Sequence, residues 1–107
     1  MQYTNREFSD HPVNWDHWLH LETLTANQAA QLMVSLDPHL PASSRTSLEM
    51  RAMVRYATAI YRLALDEEMT EAPMSHWLEW GNFHEIHSHP MFVIKTFEWK
   101  SLHEQRP

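Results

Sequence analysis

Apolar residues along the chain recur at intervals of three and four, the spacing that lines one face of a helix. In VNWDHWLHLE (13–22), Trp15, Trp18 and Leu19 fall at i, i+3 and i+4, while His17 and His20 lie on another part of the cylinder. The spacing predicts a short helix. TLTANQAAQLMVSLDP (23–38) carries the clearest helix signal. Thr25 and Gln28 form a T-x-x-Q capping box, whose side chains satisfy orphan amides at a helix start. Ala29, Leu32, Met33 and Leu36 follow as an apolar stripe. Asp37-Pro38 should end it, because proline disfavours helical geometry in the residue before it. Residues 1–11 read as a polar arm and HLPASS (39–44) as a linker.

A long helix is predicted from about Arg45 to Glu67. Projected at ~100° per residue, Met53, Ala57, Ile60 and Ala64 centre one face. Tyr56 and Leu63 flank it on one side, and Met50, Val54, Tyr61 and Leu65 on the other. The apolar arc exceeds half the circumference, interrupted by Glu49, and Arg51, Arg55 and Arg62 share what remains. A surface helix needs a stripe of only about 100°. This one is therefore expected to be central in the fold or to bury one side in a partner. DEEMTEA (66–72) reads as an acidic connection, and Pro73 suits the first turn of a fourth helix, PMSHWLEW, with Trp77 and Trp80 on one face. Gly81 is expected to supply the left-handed residue at its end. NFHEIHSH is then a loop. PMFVIKTFEWKSLHEQ (90–105) is rich in strand formers, yet a lone strand would be an unpaired edge, so helix is the better reading, with Phe92, Thr96, Trp99 and His103 on one face. An edge strand completed across a dimer is the alternative. The expectation is one all-α domain, 1–107, built as a compact bundle of four or five helices around a long central one.

Composition narrows the function classes. With a single glycine in 107 residues, the chain lacks the raw material of hairpins, P-loops and dinucleotide fingerprints. The formal charge of −6 weighs against nucleic-acid and anionic-membrane binding, although protonation of all nine histidines would turn it to +3. The absence of cysteine excludes disulfides, thiolate metal sites and cysteine nucleophiles. The start MQYTNREFSD is polar and no stretch approaches ~20 apolar residues, so a cytoplasmic protein without a membrane span is expected.

The string from Trp15 through Trp18 to Pro38, W-x-x-W-x-H-L-E-T-L-T-x-x-Q-A-A-x-L-M-x-x-L-D-P, resembles an element of small helical proteins of bacteria and their mobile elements. Those proteins pair a tryptophan with L-T-x-x-E-A-A-x-L and then G-x-D-P. The later P-M-S-H-W-L-E-W-G is similar to their P-x-x-W-x-x-W segment. Here Gln28 replaces the acidic residue, and the glycine before Asp37-Pro38 is missing. The resemblance implies a helical fold and a bacterial or phage setting. It transfers no catalytic residue and no cofactor.

Three groups of residues carry candidate chemistry. His84, His87 and His89 could ligate zinc or nickel with Glu85 near by, although H-x-x-H-x-H is not the H-E-x-x-H zinc signature. The alternative is a polar loop whose histidines face water. Five tryptophans and seven methionines are a heavy load for one small core. Some of Trp15, Trp18, Trp77, Trp80 and Trp99 must pack inside, and those left near the surface would be anchors for a partner. Arg51, Arg55 and Arg62 could hold phosphate or an acidic partner, or simply be a solvated face. No motif points to catalysis. The expected function is a non-enzymatic protein-interaction module, an inhibitor or regulator that also forms a homodimer, with a histidine-ligated metal protein as the alternative.

Overall fold

The computed structural model describes residues 13–40 and 47–104. In order these form α1 (Trp15–Leu19), β1 (Leu24–Thr25), α2 (Ala26–Met33), α3 (Leu48–Asp66), β2 (Glu71–Ala72), α4 (Met74–Phe83) and α5 (Pro90–Glu104). The polar arm, and the linker beyond Leu40, lie outside the described residues. The fold is mainly helical, and residues 90–104 form a helix rather than a strand.

The helix starts follow their local signals. Thr25 caps α2 in a full capping box: its hydroxyl accepts from Gln28 N at 3.3 Å, and the Gln28 side chain accepts from Thr25 N at 2.9 Å. Ser47 caps α3, accepting from Met50 N at 3.1 Å. The helix ends do not follow the proline and glycine signals. α2 stops at Met33, four residues short of Asp37. There Ser35 turns left-handed at φ 64°, Ser35 N donates to Leu32 O, and Leu36 N reaches back to Gln31 O at 2.8 Å. This is a Schellman closure, with an apolar residue following the left-handed one. α3 ends the same way through Glu68 (φ 60°) and Met69, and α4 through Glu85 (φ 57°) and Ile86. Gly81, expected at the left-handed position, instead lies inside α4 without a positive φ. It is buried, and a Cβ there would lie 3.6 Å from the Met33 side chain.

The purely helical expectation also missed a short sheet. β1 and β2 pair antiparallel, Leu24 with Ala72 and Thr25 with Glu71. The acidic connection after α3 is thereby tied to the entry of α2. Ala26 N donates to Thr70 O, and the Thr23 hydroxyl donates to the Glu71 carboxylate.

Burial concentrates on α2. Six of its eight residues are buried, and its Ala29, Leu32 and Met33 have no accessible surface. α3 packs chiefly along α2, but of its wide apolar arc only Ala57, Ile60 and Ala64 are fully enclosed, while Tyr56 and Leu65 reach solvent. α4 packs on α5, and α5 closes over α1. Trp18, Trp77, Phe92, Leu24, Leu36 and Met74 complete the core.

Candidate functional site

The stretch from Leu19 to Leu24 leaves α1 and enters β1, so several of its carbonyls lack helical or sheet partners. Buried backbone groups need partners from somewhere. Ring N–H groups from the C-terminal half provide them. Trp77 Nε1 donates to Leu24 O at 2.9 Å, Trp99 Nε1 to Leu21 O at 2.9 Å, and His103 Nε2 bonds Leu19 O at 2.7 Å. The His103 ring stacks on Trp99 at 4.6 Å. Trp18 is equally buried, but its Nε1 has no hydrogen-bond partner among the described residues; its ring lies beside His17 and His39 instead. Trp18, Trp77 and Trp99 are thus part of the fold's interior, and Trp15 and Trp80 are the two indoles left half-buried.

Trp80 and His84 share one acceptor. Glu67 Oε1, just past α3, receives Trp80 Nε1 and His84 Nε2, each at 2.9 Å. The Trp80 indole N–H first, then the bond from His84, hold the Glu67 carboxyl below its ordinary value of 4.5. The arrangement clamps α3 to α4. It also disperses the 84–89 histidines. His84 turns to Glu67, the Tyr56 hydroxyl accepts from the backbone N–H of His87, and His89 Nδ1 accepts from Met91 N while its own N–H donates to Met33 O. Among the described residues no three His, Asp or Glu side chains are grouped to hold a metal ion. Arg51, Arg55 and Arg62 all lie exposed on α3.

The surface that stands out is the outer face of α5. Its inner face buries Phe92, Thr96 and Trp99. The opposite face carries Ile94, Phe97 and Leu102, which are 51%, 61% and 58% exposed. Both signs of charge border it: Lys95 pairs with Glu98 at 3.2 Å, and Lys100 lies over the Phe97 ring at 6.0 Å. Phe83, at the end of α4, is also largely in solvent. Reading one apolar stripe on 90–105 missed this second face. The available signal was the scarcity of polar residues in PMFVIKTFEW, where a helix with one wet side should carry more.

No helix among the described residues is long and apolar enough to cross a membrane. No family model, curated protein or solved structure matches the chain.

Proposed function

We propose that the protein is a non-enzymatic interaction module that docks through the outer face of α5. The observation that supports this is a helix apolar on both sides with only one side covered. A helix that is hydrophobic all round belongs between neighbours, and clustered exposed apolar side chains mark contact surfaces. A second copy of the chain is the favoured partner, because a self-complementary two-fold contact needs both charge signs at its rim, and Lys95, Glu98 and Lys100 supply them. The resemblance of 15–38 to helical proteins of bacteria and mobile elements is in keeping with a regulator or inhibitor.

Sedimentation over a wide concentration range tests this. The wild-type chain should associate reversibly, and Phe97→Glu or Ile94→Glu should leave a monomer that melts where the wild-type chain does at dilutions low enough to keep it monomeric. A wild-type monomer at every concentration, or a dimer indifferent to both changes, would overturn docking of a second copy through this face.

A further inference from the structure

A second surface lies on α3. Leu48, Ala52, Arg55, Ala59, Arg62 and Asp66 follow one another at steps of four, three, four, three and four residues, and all of them are exposed. That spacing draws a single line along the helix, turned away from the enclosed Ala57, Ile60 and Ala64. Arg51 lies beside the line and is exposed too. Among the described residues these are all the arginines, and none of the three makes an ion pair or a hydrogen bond. Lys95, by contrast, is paired, and Lys100 lies over a ring. Acids are not scarce: the chain has fourteen against eight Lys+Arg, and Asp66 stands at i+4 from Arg62, a spacing that supports pairing. Three guanidinium forks are left open, with alanines between them that let another backbone come close.

We infer that this face of α3 docks an acidic helix of a partner protein. At ~1.5 Å of rise per residue, Arg51 and Arg62 stand about 16 Å apart along the axis, so the partner presents carboxylates on one face over about three turns. Planar guanidinium groups take carboxylates in bidentate pairs. Ala52 and Ala59, two turns apart, leave room between the pairs for the partner's own side chains. Leu48, 78% exposed, adds an apolar contact at the start of the line. Two other occupants fit worse. A second copy laid on this face would gather the arginines of both copies along one seam, so this is not the contact proposed for α5. Nucleic acid needs positive potential over a wide surface, and here three cations stand along one helix of a chain with formal charge −6.

Two fluorescently labelled helical peptides, titrated with the full chain and followed by anisotropy, test the inference. Both are built on alanine and glutamine, with the same composition and four glutamates each. One carries the glutamates at i, i+4, i+7 and i+11, on a single face; the other spreads the same four around the helix. The one-face peptide should bind about tenfold more tightly than the other, and added salt should weaken it. Arg55→Glu and Arg62→Glu should each weaken its binding by about tenfold, while Phe97→Glu on α5 should leave it unchanged. Equal binding of the two peptides would reduce the attraction to net charge and overturn the inference. So would the lack of saturable binding at millimolar concentration, or tighter binding of a DNA duplex of the same length. Both arginines are exposed, so their variants should fold, which circular dichroism checks. Should they not, the two peptides on the wild-type chain decide alone.

Discussion

Trp77 and Trp18 are both sealed in the core, yet their indole nitrogens are in opposite situations. Trp77 gives its N–H to Leu24 O, whereas that of Trp18 meets no acceptor among the described residues. Trp77→Phe should therefore destabilise the fold by about 2–3 kcal/mol, losing volume and orphaning a buried carbonyl. Trp18→Phe sheds an unmet donor along with its packing, and should cost about 1 kcal/mol or less. Chemical denaturation of both variants makes the comparison. Glu67 allows a pH test. Its carboxyl is depressed in the folded chain, so the stability it contributes is fully present above its ordinary value of 4.5 and is lost as pH falls through the lowered value. Glu67→Gln removes that dependence. Its melting temperature should lie below wild type at neutral pH, and the two curves should converge on acidification.

At the scale of elements, the three Schellman ends place Ser35, Glu68 and Glu85 in the left-handed region, where an L side chain is strained by roughly 1–2 kcal/mol. Glycine at each should stabilise the protein by about 0.5–1 kcal/mol after its own entropy is counted. Gly81→Ala should add about 1 kcal/mol, since its helical backbone and ordinary contact distances admit a methyl group. Thermal melts of the four single variants check these signs. The same residues show what was legible in the sequence. The start of α2 was readable because Thr25 and Gln28 are specific to a capping box, and the buried stripe Ala29, Leu32, Met33 and Leu36 because helical spacing carries it. The helix ends were not, since serine and glutamate carry no signal for a left-handed residue and the one glycine sits elsewhere. The β1–β2 pair was not either: two residues per strand are too few for any alternation to show.

For the molecule as a whole, the crowding of indoles has an internal explanation. Three of the five tryptophans seal the core, two of them bonded to a connector that would otherwise hold unsatisfied carbonyls, and the surplus apolar surface lies on α5 and α3 instead. Ring chemistry was visible in the sequence, but the long-range partners that decide its use were not. The proposed α5 contact follows from this distribution. A carboxylate introduced at Phe97 or Ile94 should separate copies without loosening the fold of each, because neither side chain is enclosed within one copy.

The ring-to-carbonyl bonds span 53, 78 and 84 positions of sequence. Their consequence falls on synthesis. A ribosome making this chain emits the Leu19–Leu24 acceptors long before Trp77, Trp99 and His103, the donors that complete them. The Leu19–Leu24 connector must wait, incompletely closed, until those rings have left the ribosome, so nascent chains that lack them are the form most exposed to chaperones and proteases.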